Sequence, residues 1–171
     1  MFRLLFVMLC ALIIFSGCST KRVKHPSRIT THAKLKPKPK PSYKPKEDNW
    51  VTTALYTEYK KWYKTPYEYG GEDEDGIDCS ALIQIVYKDA FNIKLPRTTK
   101  AQVKKGYLIS KKSTQEGDLV FFKTGFKTRH AGIIIEKNKF IHTSSKNGVS
   151  VSSLNNPYWK RNYWQSRRIL P

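Results

Sequence analysis

Residues 19–46 contain almost no apolar side chains, and this absence limits where the chain can build a hydrophobic core. Within this stretch, Lys36 to Lys40 reads Lys-Pro-Lys-Pro-Lys, a composition that favours extended, polyproline-like chain. We therefore interpret residues 18–47 as a basic tether. A chain of 171 residues then has room for one domain, which we place at residues 48–171.

The first 17 residues have the features of a secretory signal peptide. Arg3 is followed by an uncharged apolar run at residues 4–15, which is too short to span a bilayer comfortably. The small residues Ser16 and Gly17 directly precede Cys18, as in a lipobox, where a cysteine receives a diacylglyceryl group and the signal is removed. We expect lipidation of Cys18. The alternative is an ordinary signal peptide with an incidental cysteine.

Cysteine usage leaves one thiol in the mature chain. Cys10 lies in the signal peptide and Cys18 in the lipobox, so Cys79 alone remains and no intramolecular disulfide can form. A lone thiol in an oxidising compartment is a hazard unless it is buried or used. We therefore expect Cys79 to be either a core residue or a nucleophile.

The formal net charge of +19 is divided about equally between residues 18–47 and 48–171. A basic surface favours an anionic neighbour such as phospholipid headgroups or a cell-wall polymer, and solubility alone is the alternative explanation. We expect no nucleic-acid partner, because an exported, lipidated protein rarely meets one. Ser19 after the lipidated cysteine, rather than aspartate, favours an outer-membrane location facing the periplasm.

The apolar spacing changes period within residues 48–171. Helical spacing predicts helices at residues 49–63 and 78–90, with Asp48 as the N-cap of the first, and a shorter helix from Thr98. Short β-rich runs follow at residues 118–123, 131–136, 140–143 and 149–152. Helices first and antiparallel strands second predict an α+β fold.

One cysteine and two histidines in the predicted domain suit a thiol nucleophile with its base. Cys79 begins a predicted helix, whose N-terminal dipole favours the thiolate, and a neighbouring imidazolium would lower the thiol pKa further. We propose Cys79 as nucleophile, His130 as base and His142 as the residue that orients the base. The alternatives are a buried cysteine with two incidental histidines, or a metal site that no second cysteine supports. We expect neither metal nor cofactor.

The hairpin that joins the two histidine-bearing strands sets a geometric condition. A two-residue turn at Lys137-Asn138 would pair Glu136 with Lys139 and leave the two rings on opposite faces. A three-residue loop with a bulge would pair Glu136 with Phe140 and bring both rings to one face. The triad hypothesis therefore predicts the bulged loop, with a positive φ at Asn138 or Lys139.

A series of motifs resembles the NlpC/P60 peptidases over residues 50–170. The motifs are Pro-Tyr-Glu-Tyr-Gly-Gly at 66–71, Gly-Ile-Asp-Cys-Ser at 76–80, Leu-Pro-Arg at 95–97, Gly-Asp-Leu-Val-Phe-Phe at 117–122, His-Ala-Gly-Ile at 130–133 and Phe-Ile-His at 140–142. The closing motifs at 152–154, 157–159 and 167–170 resemble the outer-membrane lipoproteins of that family.

The resemblance implies a papain-like core of circularly permuted type and a cysteine peptidase acting on peptidoglycan, with the Cys-His-His triad at the three residues named above. Tyr67, at the position of the family's tyrosine, would donate its hydroxyl to the oxyanion together with the backbone amide of Cys79. Asp78 and Ser80, which flank the cysteine, are candidate oxyanion- or substrate-contacting residues. Ala81 departs from the family pattern, which usually has glycine there.

Four consecutive acidic residues, Glu72 to Asp75, precede the cysteine motif. We hypothesise that one or more of them bind the ammonium group of a diamino-acid or D-amino-acid substrate; a solvated loop is the alternative. Two other functions stay open, a catalytically silent wall-binding lipoprotein and an amidase or transferase on a non-murein substrate. We expect a monomer, held at the membrane by the lipid on Cys18. The sequence does not decide which peptide bond is cut.

Overall fold

The computed structural model of the protein describes residues 49–171. The predicted signal peptide, the lipidation site at Cys18 and the tether lie outside the described residues, so these stay predictions. None of the helices in residues 49–171 is long and apolar enough to cross a membrane.

Three helices open the described part of the chain: α1 at Trp50–Trp62, α2 at Cys79–Phe91 and α3 at Thr99–Gln102. In each case the side chain of the preceding residue accepts backbone N–H groups of the first turn, and these N-caps are Asn49, Asp78 and Thr98. The predicted helices are confirmed. The N-cap of α1 is Asn49, so the prediction of Asp48 is wrong.

An antiparallel sheet follows, with the spatial order β1-β6-β2-β3-β4-β5. The strands are β1 Tyr107–Ile109, β2 Leu119–Lys123, β3 Arg129–Glu136, β4 Lys139–Ser144, β5 Gly148–Ser153 and β6 Tyr163–Arg168, and α4 at Pro157–Asn162 precedes β6. Strands β2 to β5 confirm the four predicted runs and the α+β class. The sequence reasoning did not predict β1, α4 or β6.

The sheet is covered on both faces. Helices α1 and α2 pack on one face, where Leu55, Ile83 and Ile133 are fully buried in the larger core. On the other face, Phe122 and Phe140 belong to a smaller buried cluster against which Trp159 of α4 packs. These two layers hold the middle strands rigidly, and the candidate site is built on those strands.

The β3–β4 hairpin differs from the prediction in the position of its bulge. Glu136 pairs with Lys139 across a two-residue turn in which Asn138 has a φ of 61°. The pairing then shifts by one residue at Ile135, so the extra residue lies within β3 and not in the loop. The predicted three-residue loop is wrong. The shift nevertheless brings the two histidine rings to one face, as the triad hypothesis requires.

Candidate active site

Asp78 and Ser80 hold the first turn of α2. Asp78 Oδ1 accepts hydrogen bonds from the backbone N–H groups of Ser80 and Ala81 and from the Ser80 hydroxyl, each at 2.8 Å. Arg97 donates to Ser80 Oγ at 3.0 Å and to Asp78 Oδ2 at 2.8 Å. Burial opposes ionisation of Asp78, but hydrogen bonds from Arg97, Ala81 and Ser80 outweigh it and lower the pKa of the carboxyl. These contacts fix the helix end that carries Cys79, and a substrate or oxyanion role for the two residues stays a prediction.

The thiol of Cys79 is packed against the sheet. Cys79 is the first residue of α2 and is 7% exposed. Its Sγ lies 3.8 Å from Thr99 Oγ1 and receives a hydrogen bond from the backbone N–H of Ala131 in β3. Because Ala131 directly follows His130, the helix delivers the thiol to the strand that carries the predicted base.

His130 and His142 form a hydrogen-bonded pair. His130 Nε2 lies 3.0 Å from His142 Nδ1, and His142 Nε2 lies 2.8 Å from the hydroxyl of Ser152 on β5. The indole of Trp159 stacks on the His130 ring with centroids 5.3 Å apart, and it meets the His142 ring edge-on at 5.0 Å. Ser152 and Trp159 therefore restrict the orientation of both imidazoles.

Burial shifts all three groups toward their neutral forms. It raises the pKa of the Cys79 thiol, although hydrogen bonds from the Ala131 amide and from Thr99 act in the opposite direction. It lowers the pKa of His130 to about 4, and burial with the charge of His130 lowers the pKa of His142 to about 3. The expectation of a lowered thiol pKa is therefore wrong. At neutral pH the resting site holds a thiol and two neutral imidazoles.

Tyr67 is held beside Cys79 because its segment pairs with Ile77. The carbonyl of Pro66 accepts the Ile77 N–H at 3.0 Å, and the Glu68 N–H donates to the Ile77 carbonyl at 3.3 Å. The Tyr67 side chain is 40% exposed and lines the same cleft as Cys79. Burial and the charge of a Cys79 thiolate raise the pKa of the Tyr67 hydroxyl, which keeps it protonated as a hydrogen-bond donor.

The acidic run lies away from this cleft. Glu72 accepts a hydrogen bond from Arg97 Nε, and Asp73 Oδ1 accepts the backbone N–H groups of Asp75 and Gly76. All four carboxylate side chains of residues 72–75 are exposed. None of them is among the cleft-lining residues of the described chain. The structure favours the solvated-loop alternative over ammonium binding.

The predicted triad and Tyr67 share one cleft of about 720 Å³. Thr124 and Thr128 of the β2–β3 loop and Arg129 at the start of β3 line one part of it. Residues 144–147, at the end of β4 and in the β4–β5 turn, line another part. This space admits a peptide beside the thiol. The arrangement can perform acyl transfer, with a nucleophile, a base and an oxyanion donor in one place. Within residues 49–171, no group of three His, Cys, Asp or Glu side chains has metal-binding geometry.

Sequence reasoning missed the roles of Arg97, Ser152 and Trp159. Arg97 and Trp159 lie in motifs that carried the family resemblance, but a motif does not say which side chain each of them contacts. Ser152 lies on a predicted strand beside the strand of His142. Counting the polar residues that face the same side of the sheet as His142 could have identified Ser152.

Comparison with known proteins places the chain in a family. Residues 64–168 match the model of the NlpC/P60 family. The probable endopeptidase NlpC of Escherichia coli is 43% identical over 133 residues, which cover 77% of this chain and 86% of that protein. The murein DD-endopeptidase MepS/murein LD-carboxypeptidase of the same organism is 40% identical over 120 residues, covering 70% of this chain and 64% of that protein.

Solved structures show the same fold. An NlpC/P60 family protein from Bacillus cereus superposes with a TM-score of 0.63 at 28% identity, over 78% of this chain and 42% of that one. A protein of the same family from Staphylococcus aureus superposes with a TM-score of 0.65 at 29% identity, over 79% of this chain and 45% of that one. The chain thus spans less than half of these two proteins. The chain belongs to the NlpC/P60 family.

Proposed function

We propose that the protein is a murein endopeptidase that uses Cys79 as nucleophile, His130 as base and His142 as the orienting residue. The observation that carries this proposal is the shared cleft of the three residues, with His130 Nε2 at 3.0 Å from His142 Nδ1. The relatives support the substrate class, since one is named a probable endopeptidase and another a murein DD-endopeptidase. The alternative of a catalytically silent wall-binding lipoprotein has less support, because wall binding alone does not need an ordered triad.

The hydrogen-bond chain is compatible with the tautomers that a general base needs. If His130 accepts the thiol proton on Nδ1, its own proton lies on Nε2 and is donated to His142 Nδ1. His142 then carries its proton on Nε2 and donates it to the Ser152 hydroxyl. Every imidazole N–H has an acceptor in this arrangement. In this arrangement His130 has the tautomer that a general base needs.

The neutral resting pair supports a mechanism in which the thiolate forms at the moment of attack. His130 takes the thiol proton while Cys79 Sγ bonds to the carbonyl carbon, and the imidazolium then gives the proton to the leaving amine. Water hydrolyses the resulting thioester and restores the thiol. The hydroxyl of Tyr67 and the backbone amide of Cys79 would donate to the oxyanion in both steps.

The bond we expect to be cut is the cross-bridge between diaminopimelate and D-alanine. The resemblance to the MepS type favours this bond over the D-glutamyl link. A more distant relative, 34% identical over 120 residues, is named peptidoglycan DL-endopeptidase CwlO of Bacillus licheniformis, which keeps the D-glutamyl link as the second candidate. A non-murein acyl substrate is the remaining alternative.

We also propose that a lipid on Cys18 anchors a monomer to the outer membrane, facing the periplasm. The support comes from the lipobox, from Ser19 and from the basic tether, all of which are features of the sequence. Membrane fractionation of cells that produce the Cys18→Ser protein tests the anchor. We expect the unchanged protein in the outer membrane and the variant to be absent from it; equal amounts of the two in the outer membrane would contradict lipid anchoring.

The test of the enzyme is digestion of purified, cross-linked muropeptides by the full-length protein, with Cys79→Ala as the matched inactive variant and products identified by mass. Cleavage by the unchanged protein alone supports the peptidase, and the product masses name the bond. If neither protein cuts the muropeptides while both sediment with murein sacculi, the wall-binding function replaces the peptidase function. Cleavage by both would remove Cys79 from the mechanism.

A further inference from the structure

A side chamber of about 310 Å³ adjoins the cleft and is lined by Lys64, Pro66, Tyr67 and residues 145–148. We propose that Lys64 and Lys146 make this chamber a carboxylate-binding subsite. The enzyme then selects peptides that present a free carboxylate there. This inference rests on the proposed peptidase function and names the chemistry that positions its substrate.

The chamber shares part of its lining with the catalytic cleft. Tyr67 and residues 145–147 line both spaces. A peptide whose scissile carbonyl meets Cys79 can extend past the Tyr67 ring into the chamber. The subsite therefore contacts a substrate group away from the reacting bond.

Backbone hydrogen bonds fix the chamber walls relative to each other. The Lys64 N–H donates to the Val149 carbonyl at 3.1 Å, and the Val149 N–H donates to the Thr65 carbonyl at 2.9 Å. Gly148 has a φ of 65°, and a Cβ there would lie 2.4 Å from the Thr65 carbonyl oxygen. Because the β4–β5 turn is held this closely to the Lys64 loop, the two lysines stay on adjoining walls of one space.

Lys64 has a backbone conformation that lysine seldom adopts. Its φ is 71°, in the left-handed region where glycine and asparagine are the usual residues. Its ammonium group lies 5.5 Å from the centroid of the Tyr63 ring, and in residues 49–171 no carboxylate lies within salt-bridge distance of either Lys64 or Lys146. Strained backbone of this kind collects at functional sites. A ligand carboxylate would give both ammonium groups a partner.

The positive charge of the cleft and the chamber favours ligands with carboxylates over ligands with ammonium groups. Arg129 adds a third cation, and none of the residues of the described chain that line the cleft or the chamber is acidic. The field in such a concave site attracts carboxylates and repels ammonium groups. Peptides of murein carry several carboxylates, so they fit this field.

Binding to the full-length protein in the inactive Cys79→Ala background tests the subsite without turnover. The ligands are purified cross-linked muropeptides with free carboxyl groups, and the same muropeptides with these groups converted to methylamides. We expect Lys64→Asn with Lys146→Gln to weaken binding of the free acid about 3- to 10-fold, as for two exposed charge pairs, and to leave the amide form unchanged in calorimetry. Asparagine suits the left-handed backbone, so the fold is retained.

The matched control removes two other exposed lysines, by Lys94→Gln with Lys112→Gln, and should bind both ligands as the parent does. Equal binding of the free acid by parent and Lys64/Lys146 variant, or equal losses for both ligands, would overturn the subsite. Turnover is measured separately on the protein with Cys79 intact. Selective loss of free-acid binding with no turnover by that protein would support the subsite while counting against the peptidase.

Discussion

The Nε2 atom of His130 lies 3.0 Å from the Nδ1 atom of His142, so the protonation of one ring sets the tautomer of the other. The chain continues from His142 Nε2 to Ser152 Oγ at 2.8 Å. A hydroxyl on a neighbouring strand thereby ends the hydrogen-bond chain that begins at His130. Ser152 also lines the catalytic cleft, so we expect it to position His142.

Ser152→Ala removes the acceptor at the end of this chain. We expect kcat to fall about 10-fold with KM little changed, because one unsatisfied N–H costs about 1–2 kcal/mol and releases the ring orientation. Steady-state kinetics on a muropeptide checks this, and Ser152→Thr should restore most of the rate because it keeps the hydroxyl. Ser150→Ala, two residues earlier on β5, is the control. Equal rates for Ser152→Ala and the parent would rule out a positioning role.

Tyr67→Phe removes the proposed oxyanion donor and keeps the ring. We expect kcat to fall about 100-fold, the usual loss for one such donor. Tyr69, two residues later, is 90% exposed, so Tyr69→Phe is the matched control and should retain full activity. A loss below about 3-fold for Tyr67→Phe would mean that the oxyanion is stabilised by other groups.

The loss of activity at acid pH should begin well below the pH at which an ordinary histidine gains its proton. His130 acts as a base when it is neutral, and burial lowers its pKa to about 4. We therefore expect kcat/KM to stay nearly level from pH 7 to about pH 5 and to fall below that as His130 gains a proton. Rates measured on the free enzyme under subsaturating substrate check this. An acid limb near pH 6.5 would contradict the buried, neutral base.

Stability should also fall on acidification, for the same histidines. An unfolded histidine has a pKa near 6.5, whereas His130 and His142 fold with values of about 4 and about 3. Between these values the unfolded chain binds more protons, so the free energy of unfolding is highest above about pH 6.5 and decreases as the pH falls toward 4. The slope is at most about 1.4 kcal/mol per pH unit for each histidine. Urea unfolding across this range should show a smaller slope for His142→Gln.

Arg97 connects the N-terminus of α2 to two loops, and lysine cannot replace its geometry. Its guanidinium donates to Asp78, Ser80, Glu72 and the Gly70 carbonyl. We expect Arg97→Lys to lower the free energy of unfolding by about 2 kcal/mol, since hydrogen bonds to a partly buried carboxylate are lost. Glu72→Gln, which breaks the exposed pair alone, should cost less than about 1 kcal/mol in the same urea titration. Similar losses for both variants would contradict the network.

Periodic apolar patterns were sufficient to predict α1, α2 and strands β2 to β5. Strand β6 escaped prediction because its sequence, Tyr-Trp-Gln-Ser-Arg-Arg, is dominated by polar and charged residues. Its place in the sheet depends on a tertiary contact: Arg168 Nε donates to the buried carboxylate of Asp118 at 2.8 Å. Sequence periodicity cannot reveal a charge that is buried with its partner.

The triad residues were named from residue type and motif, and the structure places all of them in one cleft. The sequence could not predict how deeply these residues are buried or how the neighbouring strands pair. Burial raises the thiol pKa where a helix N-terminus predicted a decrease, and the bulge at Ile135 replaces the predicted loop. Both depend on the packing of distant segments, which local spacing does not encode.

Cys79 comes from a helix, the histidines from two strands and Trp159 from a helix near the end of the chain. Residues so far apart in sequence meet only when these helices and strands have packed together. The unfolded chain is therefore an inactive form of the hydrolase. The catalytic site is thus created by the folding of the domain itself.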